Sequence, residues 1–296
     1  MFRILQKKMT TDKLTLGLWA LGNSEGFHSK ITAREAKDII KTAYKKGIHS
    51  FDSAFSYNTD NLLYSALREM GVKTEDVEVF EKVMPYKSMR KKVEASLRAL
   101  RTEHLTSLII HWPSSEEQLF SALKDAEGIM EEGKCSSIGI SNFPHHLARR
   151  MEKDFQISYN EYFSAPTFPS SPVEGLRNLK YGIFSFGSLL KDDMQDARKD
   201  LFYHQKEVLP SFLSLKRTID EIAKEKGASR KEILISFALY DNPHRIIIGA
   251  GRKEHLDALE APPLEERYYS AIMEEGMKVA SYNESDNVFS HNWRGR

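Results

Sequence analysis

The chain has 296 residues, of which 41% are hydrophobic and 29% are charged, and its formal net charge is +1. This length and composition suit one soluble globular domain, and so small a net charge does not favour nucleic acid or a membrane surface as a partner. The single cysteine, Cys135, excludes an internal disulfide framework, and the sequence has neither a signal-peptide core at MFRILQKKMT nor a run of ~20 apolar residues.

Eight short apolar runs alternate with longer segments of helical periodicity along the chain. This alternation is typical of βα units around a parallel sheet. Eight units in order predict a closed (β/α)8 TIM barrel, an α/β fold that forms a single domain over residues 1–296. The predicted strands are LTLGLW (14–19), HSFD (49–52), VEVFEKV (77–83), LTSLIIH (105–111), SSIGI (136–140), FQISY (155–159), GIFSF (182–186) and RIIIG (245–249).

The segments between these strands carry recognisable helix and loop signals. Thr32 and Glu35 form a T-x-x-E capping box at the start of the first predicted helix. Residues 187–210 show little periodicity and predict a long loop after the seventh strand. After the eighth unit, the sequence predicts an added helix over about residues 262–281 and then a polar tail.

Four ionisable side chains fall at or near the carboxyl ends of adjacent predicted strands. Asp52 ends the second strand, and Tyr57 follows it by five residues. Lys82 comes near the end of the third strand, and His111 ends the fourth. Each residue alone has a structural explanation, such as helix capping by Asp52 or wall packing by Tyr57. Because the chemistry of a closed barrel gathers at this end of its strands, the four together predict an active site.

These four side chains suit an assisted proton donor. A phenol with an ordinary pKa of about 10 is a weak acid at neutral pH, but a nearby ammonium lowers that pKa. Lys82 can act in this way on Tyr57, and the carboxylate of Asp52 can hold the ammonium in place. A neutral imidazole at His111 can donate to a carbonyl oxygen and fix its direction. Because no Ser or Cys with a partner His is evident, we expect a cofactor that delivers hydride.

Six segments of the chain form a series of landmarks. In order, they are GLWALG (17–22), GIHSFDSAFSYN (47–58), SLRALRTEHLTSLIIHWP (96–113), GKCSSIGISNF (133–143), QISYN (156–160) and IIIGAGRKEHLDALEA (246–261). Through these landmarks, the chain resembles the aldo-keto reductases over about residues 17–261. The resemblance implies a (β/α)8 barrel that binds a nicotinamide cofactor, usually NADPH, without a Rossmann domain. The absence of a G-x-G-x-x-G motif agrees with this expectation.

The resemblance implies a role in carbonyl reduction for each catalytic candidate. It makes Tyr57 the general acid and Lys82 the residue that lowers its pKa. It also makes Asp52 the residue that orients Lys82, and His111 the residue that positions the substrate oxygen.

The same resemblance predicts the residues around the nicotinamide. Ser141 and Asn142 of the SNF motif, with Gln156 of QISYN, would bind its carboxamide, because their side chains offer donors and acceptors to a planar amide. The structural alternatives are helix capping by Ser141 or Asn142 and an ordinary polar strand edge for Gln156.

Three further cofactor residues are expected after the seventh strand. Phe186 takes the place of a tyrosine that the family stacks on the nicotinamide ring, and it keeps the flat apolar face. Gly187 and Leu189 belong to a Gly-Ser-Leu segment that stands where the family has Ser-Pro-Leu. The resemblance implies that this segment follows the pyrophosphate.

A third group of predicted cofactor residues follows the eighth strand. Gly249 and the helix start after it could bind phosphate through backbone N–H groups. Arg252 and Lys253 could meet a 2′-phosphate on the adenosine ribose, which favours NADPH over NADH. The structural alternative is a solvated basic turn.

Two tryptophans are expected to line the substrate pocket. Trp19 follows the first strand and Trp112 stands beside His111. The loop after His111 is short, since Ser114 or Ser115 already caps the next helix. An open mouth follows, and with it tolerance for bulky or varied aldehydes and ketones.

The preferred interpretation is therefore an NADPH-dependent aldehyde or ketone reductase. One alternative is a non-catalytic barrel that binds the nucleotide as a redox sensor or as a partner subunit. Another is a Schiff-base aldolase that uses Lys82. We expect a cytoplasmic monomer or weak homo-oligomer whose partner is a small carbonyl compound, with no bound metal, no nucleic acid and no membrane.

Overall fold

Eight parallel strands form the centre of the molecule. The computed structural model describes residues 11–22, 31–85, 88–113, 115–192, 206–241 and 243–283. The strands are β1 (Leu14–Gly17), β2 (Ser50–Ala54), β3 (Glu78–Val83), β4 (Ser107–His111), β5 (Ile138–Ser141), β6 (Ile157–Phe163), β7 (Arg177–Tyr181) and β8 (Arg245–Gly249). Each strand pairs with the next one along the chain, and β8 pairs with β1 to close the barrel. The predicted (β/α)8 barrel is confirmed.

Eight α-helices surround this barrel in the described part of the chain. The last of them is the predicted added helix, and the polar tail after residue 283 lies outside the described residues. None of the helices in the ranges given above combines the length and the apolar character needed to cross a membrane. The helices are α1 (Ala33–Lys45), α2 (Asp60–Glu69), α3 (Met89–Leu100), α4 (Glu116–Glu131), α5 (His145–Met151), α6 (Leu209–Lys226), α7 (Arg230–Tyr240) and α8 (Glu266–Ala280).

Local sequence determines where α1 begins. The Thr32 hydroxyl accepts a hydrogen bond from the backbone N–H of Glu35 at 3.3 Å, and the Glu35 carboxylate accepts one from the backbone N–H of Thr32 at 2.8 Å. The predicted capping box is therefore present, and it satisfies backbone donors that the first helical turn leaves without partners.

The side chains inside the barrel form an apolar layer beneath a polar one. The apolar layer consists of Phe80, Ile109, Tyr159, Leu179 and Ile247. Because side chains alternate along a strand, the residue two positions further on also points inward. Those next residues are Lys82, His111, Glu161, Tyr181 and Gly249. The fold therefore places polar groups from several strands together at the carboxyl end.

The seventh strand does not lie where the sequence predicted it. β7 precedes the predicted segment 182–186, which forms turns instead. In that segment Gly182, Ser185 and Phe186 have φ values of +78°, +49° and +55°. These left-handed conformations are incompatible with a continuing strand.

β7 escaped recognition because its sequence, RNLKY, is polar. Lys180 is nevertheless buried, and its ammonium donates to the carbonyl of Ala238 at 3.0 Å and pairs with Asp241. Asn178 is buried too, and its amide donates to the carbonyl of Val173 at 2.7 Å. Specific partners therefore replace the apolar side chains that a buried strand ordinarily carries.

The long loop predicted over residues 187–210 is only partly described. Turns continue from β7 to Leu190, and α6 begins at Leu209. Residues 193–205 lie outside the described residues.

Candidate active site

The four predicted catalytic side chains lie together at the carboxyl end of the barrel. Lys82 is 1% exposed, and its ammonium forms an ion pair with Asp52 of the neighbouring strand. The same ammonium lies 5.3 Å from the centroid of the Tyr57 ring. The His111 ring meets the Tyr57 ring edge-on, with centroids 6.2 Å apart. Four separate positions in the sequence therefore contribute to one site.

Tyr57 owes its position to a tight turn. It ends a short 3-10 turn (Phe55–Tyr57) directly after β2, and Asn58 follows with a φ of +58°. The loop after β1 packs against this turn, because a Cβ on Gly22 would lie 2.0 Å from the Tyr57 carbonyl oxygen. A side chain at Gly22 would thus displace Tyr57 from its place beside Lys82.

Glu161 is a fifth ionisable residue of the site, and the sequence analysis missed it. Its carboxyl group lies 3.4 Å from the Lys82 ammonium and accepts a hydrogen bond from the Ser141 hydroxyl at 3.3 Å. β6 was predicted to end at Tyr159, two residues before Glu161. The available signal was that apolar residues resume after it, at Tyr162 and Phe163, which extends the strand beyond Tyr159.

Burial and charge act on the Lys82 pKa in opposite directions. Burial alone lowers that pKa, but Asp52 and Glu161 raise it by more, so the net shift is upward and the ammonium keeps its proton. Burial raises the pKa of Asp52, and Lys82 opposes that shift. The three groups therefore titrate as one cluster.

The pKa of Tyr57 responds to the same cluster. Burial raises it, Lys82 lowers it, and Asp52 and Glu161 raise it again. The prediction had the correct sign for Lys82 itself, but the net shift of the Tyr57 pKa is upward. One ammonium does not outweigh an apolar site that also contains two carboxyl groups.

His111 is a neutral imidazole in this site. Burial holds its pKa well below the ordinary value, and the charge of Lys82 lowers that pKa further. Its Nδ1 atom is buried and has no hydrogen-bond partner among the described residues. A neutral imidazole carries one N–H group, which can donate to a substrate oxygen.

A chain of hydrogen bonds crosses the barrel mouth from β7 to β6. The Tyr181 hydroxyl donates to Asn142 Oδ1, and Asn142 Nδ2 donates to the Ser141 hydroxyl at 2.9 Å. Ser141 in turn donates to Glu161. The two predicted carboxamide residues, Ser141 and Asn142, thus lie at the mouth beside the catalytic cluster.

Gln156 lies at the opposite end of the barrel. It is exposed and immediately precedes Ile157, the first residue of β6. The expectation that it lines the mouth is wrong, because β6 starts after Gln156 and runs four residues beyond the predicted end. Glu161, which pairs with Ser141 in register, stands at the mouth instead.

Tyr181, and not Phe186, is the aromatic residue that ends β7. Phe186 lies in the following turn, where its ring stacks on Phe163 with centroids 5.5 Å apart. The Tyr181 ring meets Phe163 edge-on at 5.5 Å, and its hydroxyl belongs to the hydrogen-bond chain at the mouth. The prediction of Phe186 at the strand end followed from the wrong position of the strand.

The other two predicted residues of this segment differ in their surroundings. Gly187 is half-buried, with a φ of +88°. Leu189 is fully buried in an apolar cluster with Phe212 and Ile219 of α6. The buried Leu189 side chain leaves only its backbone to face a cofactor, and its place in the cofactor set stays a prediction.

Gly249 ends β8, and Arg252 and Lys253 follow it in the next turn. All three residues are exposed. A short 3-10 turn, Lys253–Leu256, follows the strand in place of the predicted helix start. The basic side chains therefore project from a compact exposed turn at the same end of the barrel as Tyr57.

Both predicted pocket tryptophans are half-buried and follow carboxyl ends of strands. Trp19 begins the 3-10 turn after β1, and the ring centroid of Trp112 lies 6.0 Å from that of His111. The loop after β4 is short, as predicted, because Ser115 caps α4 by accepting from the backbone N–H of Gln118 at 3.1 Å. Ser114 lies outside the described residues.

Side chains suited to metal binding are not grouped in the described ranges. There, no set of three or more His, Cys, Asp or Glu residues is arranged to hold a metal ion. Asp52 and Glu161 instead share the ammonium of Lys82.

Two curated relatives cover different shares of the chain. The Glyoxal reductase of Bacillus subtilis (strain 168) is 30% identical over 127 residues, or 42% of this chain and 46% of that protein. The Methylglyoxal reductase DkgB of Escherichia coli O157:H7 is 24% identical over 240 residues, or 74% of this chain and 78% of that protein. The chain spans about half the length of the first relative and over three-quarters of the second.

Solved structures show the same fold. The glycerol dehydrogenase AKR11B4 from Gluconobacter oxydans gives a TM-score of 0.75 at 20% identity, covering 89% of this chain and 90% of that chain. The thermostable aldo-keto reductase Tm1743 gives 0.70 at 24% identity, covering 89% and 94%. A model of the Aldo/keto reductase family matches residues 13–272. Because this match includes well over half of the sequence, the chain belongs to the Aldo/keto reductase family.

Proposed function

We propose that the protein reduces aldehydes or ketones to alcohols with NADPH, and that Tyr57 is the general acid. The observation that carries the proposal is the convergence of Tyr57, Lys82 and His111, with Asp52 paired to the buried lysine. The names of the relatives, which specify reduction of glyoxal and methylglyoxal, support the same class of reaction.

The residues at the barrel mouth fit a nicotinamide nucleotide. Ser141 and Asn142 offer hydroxyl and amide groups to a carboxamide, and the aromatic ring of Tyr181 stands beside them at the end of β7. Arg252 and Lys253 are exposed beyond β8, where they suit phosphate groups and a 2′-phosphate in particular. We propose these residues as the cofactor site.

The mechanism assigns one task to each catalytic side chain. A bound reduced nicotinamide supplies the hydride that adds to the carbonyl carbon. Tyr57 donates its phenolic proton to the carbonyl oxygen, which completes the alcohol and leaves a tyrosinate. The ammonium of Lys82 stabilises that negative charge, and Asp52 holds the ammonium. The neutral ring of His111 donates to the substrate oxygen and aligns it with Tyr57.

The environment of Lys82 argues against the aldolase alternative. A lysine must lose its proton before its amine can attack a carbonyl carbon. Asp52 and Glu161 raise the Lys82 pKa overall, so the amine is scarce at neutral pH. The intact set of Tyr57, Lys82, Asp52 and His111 similarly argues against a barrel that only binds nucleotide.

The test is NADPH oxidation by a panel of carbonyl compounds that includes glyoxal, methylglyoxal and larger aromatic aldehydes. We expect turnover of several members, because the loop after His111 is too short to cover the mouth. Turnover of a single small compound would contradict the open mouth. Binding of NADPH with no oxidation by any member would favour the non-catalytic alternative, and trapping of a carbonyl ligand on Lys82 by borohydride would favour the aldolase.

A further inference from the structure

Lys82 lies between two buried carboxyl groups, and the proposed reaction uses only one of them. Asp52 forms the direct ion pair, while Glu161 lies 3.4 Å from the same ammonium. Glu161 is 4% exposed, and its Oε2 atom, which faces the ammonium, accepts no hydrogen bond from the described residues. A buried carboxyl group with so few donors is costly to ionise.

The charges of the cluster do not balance if both carboxyl groups are ionised. One ammonium then faces two buried carboxylates, which leaves a net negative charge. One retained proton removes this charge, and burial favours it because burial raises the pKa of both carboxyl groups. The cluster is therefore neutral overall when it holds one extra proton.

Glu161 is the better candidate for the retained proton. Asp52 makes the shorter contact with Lys82 and so gains more from being ionised. Burial and then the charge of Asp52 raise the pKa of Glu161 to about 8, against the opposing effect of Lys82. Glu161 thus changes its charge close to neutral pH.

Among the described residues, the ionisable groups that face Glu161 belong to the same end of the barrel. Asp52 comes from β2, Lys82 from β3 and Tyr181 from β7, with Tyr57 in the turn after β2. An ionised Glu161 raises the pKa of Tyr57. It also attracts the Lys82 ammonium that stabilises the tyrosinate.

We propose that Glu161 is a positioning residue that controls the acid strength of Tyr57 through Lys82. With its proton, Glu161 leaves the charge of the ammonium to act on Tyr57. Without its proton, Glu161 shares that charge and makes Tyr57 a weaker acid. The inference rests on the proposed function, and it predicts that carbonyl reduction slows as Glu161 ionises.

The first test follows Tyr57 directly and does not depend on turnover. The protein is labelled with ¹³C at tyrosine Cζ, and the Tyr57 resonance is assigned by its absence from Tyr57→Phe. We expect a step in its chemical shift with a midpoint at a pH of about 8 in the wild type, and no such step in Glu161→Gln. A Tyr57 chemical shift that shows no step near this pH in the wild type would overturn the proposal. A step in Glu161→Gln equal to that of the wild type would also overturn it.

The matched control is Glu81→Gln. Glu81 is a buried acid adjacent to Lys82 in the chain, and burial raises its pKa well above the ordinary value. Its carboxyl group accepts a hydrogen bond from Ser96 of α3 at 3.0 Å, so it lies on the helix side of β3 and not inside the barrel. Glu81→Gln should keep the Tyr57 step. Loss of the step in this variant would show that any buried acid near Lys82 has the same effect.

The second test is the pH dependence of kcat for carbonyl reduction with NADPH. We expect kcat of the wild type to fall as pH rises through about 8, and this fall to move upward by at least about one pH unit in Glu161→Gln. Equal profiles in the two proteins would overturn the proposal. If no carbonyl compound is reduced, the proposed function fails by itself, while the Tyr57 resonance still decides whether Glu161 acts on Tyr57.

Discussion

At the scale of single residues, the site keeps the phenol of Tyr57 protonated throughout the neutral range. Burial raises the pKa of the phenol, and Lys82 partly offsets that effect. In the proposed reaction, Tyr57 would yield its proton to the more basic oxygen of a reduced carbonyl. The ammonium of Lys82 would then matter most after that transfer, because it would face a tyrosinate.

Replacing Tyr57 with Phe removes this proton and little else. We expect kcat for carbonyl reduction to fall at least ~10²-fold, since a positioned proton donor contributes roughly that factor. NADPH binding, measured by cofactor fluorescence, should change little, because the ring stays between Lys82 and His111. The matched control is Tyr64→Phe, on α2 near Arg68, which should retain kcat. Near-wild-type turnover in Tyr57→Phe would remove Tyr57 from the acid role.

Arg252 provides a second test at this scale. Its side chain is exposed beyond β8, where a 2′-phosphate would distinguish NADPH from NADH. Arg252→Ala should weaken NADPH by about tenfold or more, since a hydrogen bond to a charged group is worth about 1.5–3 kcal/mol, while NADH changes little. Arg98→Ala, on the exposed face of α3, is the control. Equal losses for NADPH and NADH would show that Arg252 does not bind the phosphate.

At the scale of elements, strand boundaries limited what the sequence could predict. RIIIG was placed correctly as β8, because apolar β-branched residues fill it and β8 packs against helices. β6 was predicted to end too early, because a polar pair, Asn160 and Glu161, interrupts its apolar pattern. β7 was placed five residues too late, because buried partners satisfy its polar side chains. Both errors come from tertiary contacts that no local pattern contains.

The errors in the site follow from these strand errors. Asp52, Lys82 and His111 were found because their strands were placed to within two residues. Glu161 and Tyr181 were missed because they lie in the two strands whose boundaries were wrong, Glu161 inside β6 and Tyr181 at the end of β7. The electrostatic balance at Tyr57 could not be predicted either, since it depends on burial and on the distance of Glu161 from Lys82.

The turn after β7 offers a prediction at the scale of elements. A Cβ on Gly182 would lie 2.1 Å from the Phe163 ring, and its φ of +78° is unfavourable for alanine. We expect Gly182→Ala to lower the free energy of unfolding by about 2–5 kcal/mol, combining overpacking with backbone strain. Gly187→Ala is the matched control, because it shares a positive φ of +88° but has no atom within 4 Å of the added Cβ.

Denaturant unfolding of the two variants separates the causes. Gly187→Ala should lose only the free energy that backbone strain costs, about 1–2 kcal/mol. Equal losses in both variants would show that the Phe163 ring moves aside at no cost. In that case the aromatic packing of Phe163 with Phe186 would not hold the turn in place.

At the scale of the whole molecule, the carboxyl groups divide into two classes. Exposed ones such as Glu35 and Glu69 have lowered pKa values, because hydrogen bonds from Thr32 and from Lys37 favour their charged forms. Their contribution to stability is present above the unfolded-state pKa and is lost as the solution becomes acidic. Burial raises the pKa of Glu161, so its contribution to stability is lost as the solution becomes more alkaline.

The ionisation of Glu161 should therefore affect how stability depends on pH. Its pKa of about 8 in the folded protein exceeds the unfolded value of about 4.3, so the folded state binds more protons between them. The free energy of unfolding should fall as pH rises through this window and level off above it. The effect of Glu161 is clearest from about pH 6.5 to its pKa in the folded protein. Below about pH 6.5, which is the unfolded-state pKa of histidine, the lowered pKa of His111 makes stability rise with pH and so opposes the effect of Glu161.

Denaturant unfolding of Glu161→Gln against the wild type measures this contribution. The wild type should lose up to ~1.4 kcal/mol per pH unit in that range, and the variant should be flatter by that amount because a glutamine does not titrate. Glu35→Gln is the control, since it removes an exposed acid whose pKa is lowered and which is already ionised there, so its slope should match the wild type. Parallel curves for the wild type and Glu161→Gln would mean that Glu161 is ionised throughout, and that Lys82 is balanced by two full negative charges.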